Sequence, residues 1–255
     1  MVQQGIYKPR FLEAALSFYT APPVPGKDPP YKDEITHEGY LRYKYQGSNP
    51  KDYDNVGMRI AMERGLPLIY FYGLRQNWFE AVWPVFIIAD NAKALSFTVV
   101  ADDPAARLKP HSREDALRRE YVTRLVLQRL HQRAFRERVL HAYRGHCAMC
   151  NLGHDRLLEA AHIIGDKDPM GVPEVPNGLA LCKLHHAAFD THIIGVTPDS
   201  RIELRKEILD EIDGPMLKHG LQALHKQRLN TPRKRSDDPR PEYLEARYAV
   251  FRRAG

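Results

Sequence analysis

The spacing of the cysteines limits what this chain can fold into more than any other feature. The sequence has three cysteines. Cys147 and Cys150 stand two residues apart in "CAMC", and Cys182 stands at the same spacing from His185 in "CKLH". That spacing lets both members of a pair approach one ion from a single turn, and two pairs complete the tetrahedral N/S shell of structural Zn²⁺. All three cysteines are used and none is left over. A redox CxxC would need a thioredoxin-like setting, which is absent. Three buried cysteines touching no metal would leave the matched spacings unexplained. The fold must therefore bring together two knuckles about 30 residues apart. An odd, low cysteine count also argues against a disulfide scaffold and for a reducing compartment, by default the cytoplasm.

The second knuckle continues as "LCKLHHAAFD" (181–190). Neighbours on a helix point about 100° apart, so His185 and His186 cannot easily serve one purpose. His185 closes the knuckle begun by Cys182. His186 shares a helix face with Asp190 at i, i+4, a workable partial shell for a hard or borderline divalent ion. Between the knuckles, "LLEAAHII" is apolar and β-like and places His162 on a strand. "VPNG" is a turn with Asn177 at its corner. The order is strand, loop, helix.

These residues resemble the HNH endonucleases, the ββα-metal nucleases, in the branch that reads "EAAHI", "NGL-L" and "H-x-x-F-D". Here the matching stretches are "EAAHI" (159–163), "NGLAL" (177–181) and "HAAFD" (186–190), and "FRERVLHAYRGHCAMC" is similar to the helix and first knuckle that introduce such domains. The resemblance spans roughly residues 135 to 200. It implies that His162 is the general base, Asn177 aims it from within the loop, and His186 and Asp190 bind the catalytic divalent metal. Mg²⁺ is the default ion, and the imidazole ligand also admits Mn²⁺, Co²⁺ or Ni²⁺. Many HNH enzymes carry an acid or histidine directly before the first histidine as a further ligand. This sequence has Ala161 there, with Glu159 on the same strand face.

The rest of the chain reads as a reader for that nuclease. The chain has 255 residues, enough for one large domain or two small ones. It carries a net charge of +6, which favours an acidic partner such as nucleic acid. No window approaches the ~20 apolar residues of a membrane span. From Arg107 to Arg144 ten arginines and one lysine face four acids. We expect one long helix or two in series there, with Leu117, Tyr121, Leu125, Leu130 and Val139 as a broken apolar stripe. Contact with a phosphate backbone and an ordinary solvated face both fit its charge.

Residues 1–105 are rich in proline and aromatics, α+β and mostly sheet. The strand "GYLRYKYQG", a helix over 55–65 with Val56, Ile60 and Met62, and the β-rich runs "PLIYFYGL" and "AVWPVFIIAD" stand out. Residues 43–73 resemble the SRA (SET- and RING-associated) domains, with "YQGSNP", "DYDN" and "LPLIYFYG" in the family's places. That likeness implies a PUA-like β-barrel that flips a modified cytosine, 5-methylcytosine or 5-hydroxymethylcytosine, out of the duplex. Tyr45 is the first candidate to stack on the base, followed by Tyr43, His37 and Asp54. The alternative is that the tyrosines simply pack the barrel.

The expectation is an α+β chain in four parts: an SRA-like reader (1–105), an arginine-rich helical linker (106–136), an HNH nuclease with structural zinc (137–215), and a basic tail (216–255) formed by a flexible connector and a short helix. The resemblances together imply a modification-dependent restriction endonuclease acting on double-stranded DNA. One HNH site cuts one strand, which suggests a homodimer. The competing readings are a nicking, homing or toxin-type HNH nuclease whose N-terminal part reads sequence or protein, and a zinc DNA-binding module without catalysis.

Overall fold

The structure, a computed structural model, describes residues 5–22, 34–35, 40–101, 113–166 and 168–254. It divides into two compact units, Met1–Ala134 and Phe135–Gly255, each with its own apolar core.

Unit 1 contains β1 (Ile6–Tyr7), β2 (Ser17–Thr20), β3 (Glu34–Ile35), β4 (Leu41–Lys44), helix α1 (Tyr53–Glu63), β5 (Leu68–Arg75), β6 (Trp78–Asn91) and β7 (Ser96–Ala101). The strands form one sheet in the order β1-β2-β5-β6-β7-β4-β3. Among the described residues only β2 and β5 pair in parallel; the other pairs are antiparallel. In a flat sheet β2 and β4 would lie four steps of about 4.8 Å apart. Yet the rings of Phe18 on β2 and Tyr43 on β4 are 4.6 Å apart. The Tyr43 hydroxyl also donates to the carbonyls of Gly5, at 2.9 Å, and Tyr19, at 3.3 Å. The sheet is therefore curled around its aromatic side chains into a half-barrel. Of the expected β-barrel the described residues give this half-barrel, in which the end strands β1 and β3 do not pair with each other.

Helix α1 starts where the Asp52 side chain accepts from the Asp54 amide, an N-cap that satisfies one of the free donors of the first turn. It buries Met58 and Ala61, and Ile60 and Met62 pack against the same core half-buried. Its orientation is set by Asn55, fully buried, whose amide group bonds Gln46 on both backbone atoms and the Asn49 carbonyl at 2.9 Å each. A polar residue thus takes a core position, which an apolar count along the helix does not reveal.

Helix α2 (Arg113–Ala142) is a single 30-residue helix. Its residues to 134 belong to unit 1 and the rest to unit 2. Of the expected stripe, Leu130 and Val139 are buried and Leu125 is half-buried, but Leu117 and Tyr121 are exposed; Thr123 and Leu127, outside the stripe, are buried. Thr123 decides this. Its hydroxyl accepts from the Ala101 amide and donates to the Ala101 carbonyl, so a polar side chain docks α2 on the end of β7.

Unit 2 contains the last turns of α2, then β8 (Leu158–His162), β9 (Gly178–Cys182), α3 (Lys183–Asp190), β10 (Ile194–Val196), β11 (Ile202–Leu204), α4 (Lys206–Asp210), α5 (Pro215–Gly220) and α6 (Pro241–Arg253). β8 and β9 are antiparallel, with Leu158 opposite Cys182 and His162 opposite Gly178. α3 follows β9 without a break. A side chain at Gly178 would meet Val139 at 2.5 Å and Phe135 at 2.8 Å, so glycine lets α2 lie close against β9. Beneath the hairpin, Val139, Leu158, Ala161, Leu179, Leu181 and Phe189 share one core.

The connector expected to be flexible after residue 216 is pinned. The Asn230 amide donates to the Ala148 carbonyl at 2.7 Å and the Arg233 amide to Ala142 at 3.0 Å. Leu224 and Leu229 are buried, and α6 buries Tyr243, Leu244 and Phe251. Its basic side chains face water while its backbone is bonded into unit 2. No helix among the described residues is long and apolar enough to cross a membrane.

Candidate active site

The structure gathers the Cys147, Cys150 and Cys182 sulfurs and a His185 ring nitrogen within 4.8 Å of one another. His185 is buried, and its Nδ1 lies 3.2 Å from the Cys182 sulfur and 3.5 Å from that of Cys147. Four ligands at about 2.3 Å around a tetrahedral ion lie about 3.8 Å apart, so the cluster has the right dimensions for Zn²⁺. The other ring nitrogen, Nε2, donates to the Gly220 carbonyl at 2.7 Å, which leaves the Nδ1 lone pair facing the sulfurs. A second bond of this kind fixes the ring of a metal-ligating histidine. Without an ion the four groups share protons. Hydrogen bonds from Cys150 and then Cys182 hold the Cys147 thiol well below its ordinary pKa. Burial favours neutral His185, but bonds to Cys147 and Cys182 push its pKa up to about 10. An ion bound here displaces those protons.

The second cluster lies where β8 meets α3. His186 is half-buried, with Nδ1 2.7 Å from Glu159 Oε2 and Nε2 3.3 Å from Asp190 Oδ2. Cis ligands of an octahedral ion at about 2.1 Å lie about 3 Å apart, so His186 Nε2 and Asp190 together fit a divalent ion. Ala161 is fully buried in the core beneath. The carboxylate next to His186 comes instead from Glu159, two residues earlier on the strand.

His162, at the end of β8, is near enough to feel the charges of both His186 and Asp190. The Phe135 ring stacks on its imidazole, centroids 3.8 Å apart and planes 9° from parallel. Asp166 Oδ1 lies 3.2 Å from Nε2, yet Nε2 is buried with no aligned hydrogen-bond partner. Burial lowers the His162 pKa; Asp166 and Asp190 raise it and His186 lowers it further, with a net shift downward. The imidazole is therefore neutral at pH 7 and its lone pair is available to take a proton. Asn177 is fully buried. Its Oδ1 accepts from the Ile164 amide at 2.9 Å, and its Nδ2 donates to the Ile164 and Val172 carbonyls at 3.0 Å each. The asparagine thus staples the loop that leaves His162.

Residues 147–197 match the family model described as HNH endonuclease. The chain carries an HNH endonuclease domain. No curated protein matches the chain. One solved structure, a "Modification dependent TagI restriction endonuclease", is similar over 98% of this chain and 86% of that one, at 15% identity and a TM-score of 0.31. That likeness is too distant to carry fold or activity across.

The matched stretch of the HNH domain contains all of the Cys–His cluster together with His162, Asn177, His186 and Asp190. Several residues that support the site lie outside it. Phe135 comes from α2 and the Gly220 carbonyl from the end of α5. Arg247 on α6 donates to the Phe189 carbonyl at 2.8 Å, lies over the Phe189 ring, and has a nitrogen 3.8 Å from Asp190 Oδ1. Burial depresses its pKa and Asp190 opposes this. No local spacing links Arg247 to α3. In "YLEARYAVFRR" it reads as one more solvated helix charge, and only the fold brings it to Asp190.

The residues expected to read a base are placed differently. Tyr45 is buried, its ring tilted against Phe97 and its hydroxyl bonded to Asp90 and to Arg59. Tyr43 is buried against Phe18. Neither tyrosine presents an open ring face, because both rings fill the inside of the curled sheet. Asp54 is buried in the first turn of α1, where burial and then Asp52 raise its pKa. His37 lies outside the described residues.

Proposed function

We propose that the chain hydrolyses DNA phosphodiester bonds with a divalent metal ion, using His162 as general base and His186 and Asp190 as metal ligands. The observation that carries this is the convergence of a stacked, half-buried, neutral imidazole with a histidine–carboxylate pair of ligand spacing. His162 takes the proton from the attacking water. Its lowered pKa suits it to that task at neutral pH. Asn177 fixes the loop beyond His162, and Phe135 fixes the ring plane. A divalent ion bound here would stabilise charge on the scissile phosphate and the leaving 3′ oxygen. The Cys147, Cys150, Cys182 and His185 cluster would hold structural Zn²⁺, securing the start of α3 and hence the position of His186.

The finer part of the proposal is that unit 1 directs cutting to DNA containing 5-methylcytosine or 5-hydroxymethylcytosine. It rests on the SRA-like pattern of residues 43–73. A base-reading surface would use side chains other than the buried rings of Tyr43 and Tyr45. The test is incubation with unmodified, methylated and hydroxymethylated plasmids in Mg²⁺ or Mn²⁺. Selective cutting of a modified plasmid is expected. Equal cutting of all three would remove the reader function and leave the nuclease. Binding without cutting of any would point to a DNA-binding module instead.

A further inference from the structure

We infer that Glu159 is a positioning residue for His186: its carboxylate holds the imidazole in the Nδ1–H form and turns the Nε2 lone pair toward Asp190. The inference builds on the metal-ligand reading of His186 and Asp190 but stands on its own geometry. A carboxylate oxygen only accepts, so at 2.7 Å the His186 Nδ1 must donate to Glu159 Oε2. A neutral imidazole has one N–H and one lone pair. With Nδ1–H committed to Glu159, the lone pair that a metal ligand must offer falls on Nε2, the nitrogen 3.3 Å from Asp190 Oδ2, where an ion would take the place of a proton between the two.

The strand register explains why Glu159 can do this. Glu159 and Ala161 alternate onto one face of β8, as side chains do along a strand. Ala161 goes into the core, and Glu159, two residues nearer the strand's start, is half-exposed beside α3. A small, buried residue at 161 lets α3 pack against β8. The strand edge then needs a long side chain at 159 to reach the outer face of His186. Glutamate supplies both the reach and an acceptor. The arrangement differs from Glu159 acting as a ligand, because its near oxygen is already bonded to the nitrogen that points away from Asp190.

Outer carboxylates on ligating histidines raise metal affinity by about 10–100-fold. The test uses the full-length zinc-loaded protein without DNA. Long-range ¹H–¹⁵N NMR of the histidine rings, assigned with His186→Ala, reads the tautomer in metal-free samples. Mn²⁺ titration followed by electron paramagnetic resonance reads affinity. In wild type, His186 should be Nδ1–H. Glu159→Ala should leave a mixture of tautomers and weaken Mn²⁺ about 10–100-fold. Glu159→Gln, which still offers an oxygen acceptor, should recover most of both signals. An unchanged tautomer in Glu159→Ala would overturn the inference. Equal loss of Mn²⁺ in Glu159→Gln and Glu159→Ala, with the tautomer intact, would make Glu159 a direct ligand and also overturn it. If His186→Ala leaves Mn²⁺ binding unchanged, the metal-ligand reading fails, while the tautomer result still decides the role of Glu159.

Discussion

Tyr43 and Tyr45 in unit 1, and His185 and His186 in unit 2, are both close pairs of side chains that a ligand could use. The structure uses them in opposite ways. The tyrosines, at the end of β4 and just past it, are two residues apart and so point to the same face, and both turn into the curl of the sheet. Their hydroxyls are bonded to Gly5 and Tyr19 in one case and to Asp90 and Arg59 in the other. The histidines sit one step apart on a helix and separate: His185 joins three sulfurs, and His186 lies between two carboxylates. Side chains that must meet at one point fix their spacing in sequence, whereas aromatic strand residues can be satisfied by any neighbouring surface. That is why the motif in unit 2 led to two side-chain clusters that could hold ions and the tyrosines of unit 1 led into a core.

The sharpest way to break this comparison is to remove the Cys–His cluster proposed to hold zinc. Structural zinc is worth about 10–16 kcal/mol in small domains, comparable to the whole stability of a domain, about 5–15 kcal/mol. His185→Ala or Cys147→Ser should therefore lose bound zinc and unfold unit 2, as read by metal analysis and hydrogen exchange. His186→Ala should do neither. It should keep zinc and fold but lose divalent-dependent cleavage. If both histidine variants stay folded with zinc bound, the division of labour is wrong.

A smaller effect is expected at Asn177. Asn177→Ala strands the buried Ile164 amide, and each unsatisfied buried group costs about 1–3 kcal/mol. The variant should melt earlier and cut more slowly while keeping its zinc. Normal stability with slow cutting would give Asn177 a part in the chemistry itself. The smallest effect is expected in unit 1. Tyr45→Phe keeps the ring against Phe97 and loses only the hydroxyl bonds, a change of about 1–2 kcal/mol in stability, with DNA binding unchanged. Loss of DNA binding without loss of stability would return Tyr45 to a reading role.

How much of this was legible in the sequence follows from the same contrast. The paired spacings of Cys147, Cys150, Cys182 and His185, and the i, i+4 relation of His186 to Asp190, are local geometry. They can be read from residue numbers alone. Leu130 and Val139 of the expected α2 stripe are buried, but Asn55 and Thr123, both polar, also occupy core positions through backbone hydrogen bonds that no apolar pattern shows. The segment after residue 216 looked like a solvated tail because its charges face water. Its backbone bonds to Ala142 and Ala148, and the Gly220 carbonyl on His185, depend on contacts distant in sequence. Glu159 was legible as the acid on the strand face of Ala161, whereas Phe135 and Arg247 reach the site through tertiary packing, so only the fold could assign them to it.

The central claim is that His162 is the neutral base of a DNA-cutting centre, and it is tested most directly by single-turnover cleavage of plasmid DNA against pH, for wild type and His162→Ala. A base works only when unprotonated, and burial lowers the pKa of His162. The wild-type rate should therefore rise with pH and level off with its midpoint below the ordinary imidazole value of about 6.5. His162→Ala should bind DNA, keep zinc, lose about 10²–10⁴-fold in rate and lose that limb of the profile. Cleavage by His162→Ala at the wild-type rate, with the same pH profile, would contradict the account.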